Sequence, residues 1–527
     1  MKELIRFLKT TPSFSHWKRI GIKHHHGMCV PLFSLHSDNS CGIGEFLDLI
    51  PMIEFCKQVN FNVLQLLPLN DSGLDSSPYN CISAFALNPI YLSILAIPEI
   101  KNNDKYSKQI KILKSSNMKK SYIFIYKLKH AILYDYYLSQ ISNKCDNDIL
   151  FEKFKKNSSF WLFPYSLFKT LKIQYNWHSW NFWDKDIRNI NNIYTLFKKY
   201  YKKVNFHCYI QYLCYKQLKK VKDYAEQHNL LIKGDLPILV SKESCDVWFY
   251  KKFFSLSNTA GAPPDIYNKK GQNWMFPLYN WKNLEKEDYI WWKERLKQHV
   301  QFYDIYRLDH IVGFFRIWAI KLTSNGHQGK FIPKTKEDCL NQGKAILNMM
   351  LQSSKMLPIG EDLGIVPDYV KEEMFRLGIC GTKIIRWERN WDGDNSFLPY
   401  YKYSKLSLTS VSSHDSDTLY QWWKNSPKEA QLFSIFKQWK YKKILSREKH
   451  REILKDSHHT PSLFHINLIQ EYLALIPNLI SPHSLKERIN TPGTISKANW
   501  SYRCIPSIEE LLKHNKLKSI ISSLTEK

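Results

Sequence analysis

The chain is 527 residues long, 44% hydrophobic and 15% aromatic, with a formal net charge of +28. That apolar content excludes general disorder and is ample for one large barrel or several domains. No apolar run nears the ~18 residues of a transmembrane helix, residues 1–14 are too weakly apolar for an ordinary secretory signal, and eleven cysteines without a CxxC pair read as reduced thiols; the expectation is a soluble cytoplasmic protein.

A basic chain raises the question of nucleic acid, but the lysines are spread thinly. The densest runs, at 198–203 and 440–443, are expected in helices, where solvated faces are the default. Seventeen Trp and thirty-one Tyr exceed what a core needs, and flat amphipathic rings are what sugar clefts use as platforms. His24, His25 and His26 have no carboxylate or Cys close in sequence and read as a polar lead-in to a strand rather than a metal site.

In chain order, 28–34 is a first strand, the CGIGEF segment at 41–46 a loop, 45–59 an amphipathic helix, and 61–70 a strand too continuously apolar to be buried on one face only. A Ser-, Asn-, Gly- and Pro-rich loop follows at 71–94. Residues 101–205 break the strand–helix alternation with Lys-rich, aromatic helical patterns and read as an inserted helical subdomain. The alternation resumes with a helix at 206–227, a buried strand at 230–240, a long loop at 241–281 and a helix at 286–302. The stretch 303–320 then holds a short strand that ends in chemistry: period-2 alternation sends Arg307 and Asp309 to the same side where the strand stops. Further strands are expected at 353–361, 381–388, 408–415 and, last, 472–480.

Eight apolar runs mostly separated by helices give the arithmetic of a (β/α)8 TIM barrel of the α/β class, whose ~250-residue minimum leaves the surplus for the helical insertion and the long loops. The expected organisation is 1–100 as the first part of the barrel, 101–205 as the insertion, and 206–527 as the remainder with the 241–281 cleft loop. Asp309, Glu361 and Asp415 then fall at the carboxyl ends of the fourth, fifth and seventh strands, on one face. Three convergent carboxylates without a Cys/His cluster suit glycosidic-bond chemistry. Metal-assisted hydrolysis is the rival, disfavoured by the absence of calcium-loop spacing and by Arg307 and His414 beside the acids.

The resemblance becomes specific in the order VPLFSL, CGIGEF, LQLLPLNDSG, SSPYNCISAFALNP, KGDLPILVSKESCDVW, AGAPPDIYNKKGQNW, YRLDHIVGFFRIW, GEDLG, SSHDSDT and RINTPGT. Over nearly its whole length the chain resembles the amylomaltases, the 4-alpha-glucanotransferases of the alpha-amylase clan. The resemblance implies that Asp309 is the nucleophile, Glu361 the general acid/base and Asp415 the stabiliser of an oxocarbenium-like state. It implies donor-side contacts from Tyr79, Asp235, His310 and His414, substrate contacts from Arg307 and Asn490, and acceptor-side contacts from Asp265, Gln272 and Trp274. It further implies alpha-1,4-glucans and maltooligosaccharides as donors, glucans or glucose as acceptors, no cofactor or metal, no nucleic acid or membrane partner, and a monomer or weak homo-oligomer. The chain departs from the common pattern at Ile266-Tyr267 and at Met275, where many members carry Tyr-Phe and Gly. Alternatives are an alpha-1,4-glucan hydrolase and a non-catalytic protein binding glucan or nucleic acid.

Overall fold

The computed structural model describes residues 1–526 except 116–120, 265–268, 323–327, 392 and 482–483. Twelve strands are described: β1 (His25–Val30), β2 (Val63–Leu66), β3 (Leu231–Leu236), β4 (Phe254–Ala262), β5 (Gln272–Tyr279), β6 (Ile305–Leu308), β7 (Ile317–Lys321), β8 (Gly329–Ile332), β9 (Leu357–Gly360), β10 (Gly381–Ile384), β11 (Ser407–Ser410) and β12 (Phe464–Leu468). Eight of them form one parallel sheet in the order β10-β11-β12-β1-β2-β3-β6-β9. A parallel bridge between Ile359 and Cys380 joins its two ends, so the sheet curls into the expected barrel. The strands are four to six residues long and almost wholly buried, as strands covered on both faces must be. Around them run helices with ordinary punctuation: helix Lys336–Ser353 is capped by Thr335, and Asp368–Leu377 stops at Gly378, whose φ of 72° is the left-handed value a helix end favours.

The last barrel strand is not 472–480 but β12 at Phe464–Leu468. Its sequence, FHINL, carries two polar residues into the core, and each is satisfied there: His465 Nδ1 meets the Ser457 carbonyl at 2.8 Å, and the Asn467 amide donates to Ser457 Oγ at 2.9 Å. Residues 472–480 instead finish helix Ile469–Leu473 and form a turn started by Pro477, which supplies no ladder donor. His25 and His26 open β1 itself, and His26 stacks on His465 at 4.8 Å.

The expected loop at 241–281 also differs. It contains β4 and β5, which pair antiparallel with each other and, through β7 and β8, build a second, four-stranded sheet. Ser, Asn, Thr and Gly give β4 little apolar signal, and its burial is mixed rather than continuous. Residues 440–443 lie between helices Pro427–Phe436 and Arg447–His458 rather than in one; packing of Trp439 against Trp423 and Phe433 holds that connection irregular. Among the described residues no helix is long and apolar enough to cross a membrane.

Candidate active site

The barrel register sets the centre of the site. Asp235 on β3 lies laterally opposite Arg307 on β6, so a carboxylate and a guanidinium point into the barrel mouth side by side. Arg307 Nη1 donates to Asp235 Oδ1 at 3.1 Å and to Asp309 Oδ1 at 2.7 Å, while its Nη2 lies 3.6 Å from Glu361 Oε2. One planar cation therefore touches three carboxylates. The guanidinium's positive charge amid these acids opposes a second cation beside it.

Asp309 follows the last residue of β6, and the next residue, His310, turns the backbone with a φ of 44°. For a residue other than glycine that conformation costs about 1–3 kcal/mol, and here it aims the His310 N–H at Glu361 Oε2, 2.9 Å away. Leu363 N–H donates to the other Glu361 oxygen at 3.0 Å. Glu361, just past the end of β9, is thus fixed by two backbone donors and faces the same guanidinium as Asp309.

Burial pushes the Glu361 carboxyl up to about 7, with the negative charge on Asp309 adding to the rise and Arg307 opposing it. Burial also raises Asp309, against a strong downward pull from Arg307. Because the Asp309 charge raises Glu361, the two acids do not give up their protons independently. Arg307 favours negative charge on Asp309 over Glu361, because its bond to Asp309 is the shorter.

Asp415 sits in different surroundings. Burial alone would raise its carboxyl, but His414, the Asn490 amide and Arg307 hold it down to about 2. His414 Nε2 is 3.2 Å from Asp415 Oδ2, and Asn490 Nδ2 donates to Oδ1 at 2.6 Å. With 40% of its side chain open, water favours the ionised form as well. The His414 imidazole is raised in return: burial lowers it, and the neighbouring Asp415 charge more than compensates.

Tyr79 closes the opposite wall. Its hydroxyl donates to Asp235 Oδ2 at 2.6 Å, and its ring stacks on His414 at 5.2 Å with only 14° between the planes. Burial and the Asp235 charge keep that hydroxyl protonated. On the other side, the Trp274 ring meets His310 edge-on at 5.0 Å, and its indole N–H donates to Gln272 Oε1 at 3.1 Å. Met275 occupies the left-handed region with a φ of 63°, the conformation that glycine adopts at no steric cost.

The structure therefore brings Tyr79, Asp235, Arg307, Asp309, His310, Glu361, His414, Asp415 and Asn490 together, with Gln272 and Trp274 reaching them through His310. Asp265 and the Ile266-Tyr267 departure lie outside the described residues. Two residues join the cluster unannounced. Trp500 packs against Tyr79 at 5.5 Å and His414 at 6.1 Å, and Arg488 donates to the Asp415 carbonyl at 3.2 Å while pairing with Asp417. Arg488 opens the RINTPG segment and Trp500 follows it; polarity and turn residues mark a loop there but not its contacts. A cavity of about 610 Å³ lined by Thr418, Tyr420, Gln470 and Glu487 among others contains none of the three carboxylates and is separate from this cluster.

A family model described as 4-alpha-glucanotransferase matches residues 30–507. A 4-alpha-glucanotransferase of Chlamydia pneumoniae is 49% identical over 99% of both chains, and one of Chlamydia caviae is 48% identical over 99% of this chain and 98% of its own. Among solved structures, the amylomaltase from Streptococcus agalactiae in complex with acarbose superposes with a TM-score of 0.79 at 22% identity, covering 96% of this chain and 99% of that one.

Proposed function

The chain belongs to the 4-alpha-glucanotransferase family, and from that premise we propose how its cleft performs the transfer. Asp309 attacks the anomeric carbon of an alpha-1,4-linked donor while Glu361 gives its proton to the departing 4-oxygen. The glycosidic bond breaks as the Asp309 ester forms, and the shortened glucan leaves. The 4-hydroxyl of an acceptor then enters; Glu361, now ionised, takes its proton, the new oxygen attacks the same carbon, and Asp309 is released. Two inversions retain the anomeric configuration.

One observation carries this reading: three acids on one barrel face stand in three different surroundings, Asp309 on the Arg307 guanidinium, Glu361 buried on two backbone donors, and Asp415 on His414 and Asn490. An ionised nucleophile, a protonated donor and a low-lying carboxylate to pair with positive charge at the ring are what glycosyl transfer through a covalent intermediate requires. Asp415 is the group suited to the last role. Tyr79, Asp235, His310, His414 and Asn490 offer hydrogen-bonding and stacking surface for the donor ring, and Gln272 and Trp274, with Asp265, for the acceptor.

Donors are maltooligosaccharides and related alpha-1,4-glucans, and glucose is the smallest acceptor; no nucleic-acid partner enters the reading, and the protein acts as a monomer or weak homo-oligomer. Buried cysteines that form no disulfide among the described residues support a reducing, cytoplasmic setting. Domain roles follow from the same reading: the barrel, 1–100 with 206–527, carries the chemistry, and 101–205 is an insertion upon it. Incubation with pure maltotriose tests the proposal: glucanotransfer yields a ladder of shorter and longer oligomers, whereas a hydrolase would yield only maltose and glucose.

A further inference from the structure

Three lysines of the helical segment reach into the barrel loops, and each ends on a carboxylate. Lys129, from helix Tyr122–Tyr136, pairs with Glu45 and donates to the carbonyls of Ile90 and Leu92 at 2.7 and 3.1 Å. Lys169, from helix Ser159–Gln174, donates to Asp71 Oδ2 at 2.6 Å, and Lys172, one turn further on, donates to Glu243 Oε2 at 2.6 Å.

The last two pairs bracket the donor wall. Asp71 opens the loop that leads to Tyr79, and Glu243 follows the strand that carries Asp235; Tyr79 and Asp235 are the two ends of the 2.6 Å hydrogen bond. Asp71 is fully enclosed. Its Oδ1 accepts the Gly73 N–H at 2.9 Å, and its Oδ2 accepts the Tyr165 hydroxyl at 2.7 Å as well as Lys169. Gly73 has a φ of +64°, and a Cβ there would lie 2.6 Å from the Trp177 ring, so the loop is pressed directly onto the helical segment. The Lys169 ammonium stands 5.0 Å over both the Tyr126 and Trp177 rings. Glu243 is gripped on its other oxygen by Ser179 at 2.6 Å.

We infer that Lys169 and Lys172, with Tyr165, are positioning residues: a single helix of the 101–205 segment holds the loop bearing Tyr79 and the segment following Asp235 at the spacing their hydrogen bond needs. The helical segment thereby sets the shape of the donor side of the cleft without touching substrate. The inference rests on the reading of Tyr79 as a donor-side residue. The physical ground is that a loop otherwise free to adopt many conformations is tied at a buried charge, and that placement errors far from the reacting atoms are felt as rate.

A mutant cycle between Tyr165 and Tyr79 tests it. Tyr165→Phe removes one hydrogen bond onto Asp71 and leaves the ion pair intact. Its kcat/KM for maltotriose disproportionation is expected to fall about threefold to tenfold, with the thermal midpoint close to wild type. In a Tyr79→Phe background the same change should cost less than about twofold, because the group being positioned is gone. The charge-neutral pair Lys169→Met with Asp71→Asn should follow the same pattern, which covers the case of a variant that fails to fold. Equal losses in both backgrounds, or full activity in the folded Lys169→Met/Asp71→Asn enzyme, would overturn the inference. A Tyr79→Phe enzyme with unchanged kcat/KM, together with an unchanged Tyr79→Ala enzyme that lacks the ring as well, would instead defeat the reading of Tyr79 itself, so the two failures are told apart.

Discussion

Replacing Arg307 by Gln removes the cation that touches Asp235, Asp309 and Glu361 together, while keeping a planar polar group of shorter reach. Unit charges ~4 Å apart at an effective dielectric near 20 interact by about 4 kcal/mol. Arg307 Nη1 lies 2.7 Å from Asp309 Oδ1, and the Asp309 side chain is only 23% exposed, so much of that interaction is unscreened. A carboxyl beside an arginine is typically held down by about one to three pH units, and burial already pushes Asp309 up; without the cation it rises further. The sign follows: in the proposed mechanism Asp309 attacks as the carboxylate, so the acid limb of the pH–rate profile moves to higher pH. Glu361, 3.6 Å from the same guanidinium, moves the same way by less, and the active window narrows from the acid side. At pH 6 the expected loss in kcat/KM is about a hundredfold relative to wild type, and the ratio to wild type recovers in part as the pH is raised. Maltotriose disproportionation measured from pH 4 to 9 on both enzymes decides the matter. An Arg307→Gln enzyme that is slower by the same factor at every pH would refute the assignment of Arg307 as the group that keeps Asp309 charged.

The wild-type alkaline limb of kcat/KM should fall near pH 7, because Glu361 must be protonated and its carboxyl is pushed up to about 7; a plateau extending to pH 9 would count against its role as the acid. His465 is buried neutral in β12, its imidazole lowered to about 3 by burial and by His26. The unfolded chain therefore binds the extra proton between about pH 6.5 and pH 3, and stability present above that window should drop by a few kcal/mol as the pH falls through it. Urea unfolding at pH 7.5 and 5 measures this, and His465→Gln should flatten the dependence. Met275→Gly, at a φ of 63°, relieves about 1–2 kcal/mol of left-handed strain against about 0.5–1 kcal/mol of added chain entropy, so its thermal midpoint should rise slightly rather than fall.

The catalytic half of the barrel was legible because buried parallel strands announce themselves. Ile305–Leu308 and Leu357–Gly360 are short apolar runs that stop at an acid, and a barrel places all such stops on one face. β12 was not legible, since His465 and Asn467 look wrong for a core strand until Ser457 and Tyr472 are brought beside them by the fold. β4, β5, β7 and β8 were missed for a related reason: their small and polar residues give little pattern of their own, and the sheet is closed by β4 pairing with β7 about 60 residues away. At the site, residue types and spacing predicted which acids converge, but not that Arg307 bridges three of them or that Trp500 backs Tyr79. Those contacts depend on lateral register and loop return, which no local pattern encodes.

The most direct measurement is to trap the intermediate. In a Glu361→Gln enzyme, a maltotriosyl fluoride donor needs no acid to expel fluoride, yet the second step lacks its base, so the ester should accumulate. Mass spectrometry of the digested protein should find the glucan mass on the peptide containing Asp309. An unmodified Asp309 peptide beside a labelled Asp415 peptide would contradict the account.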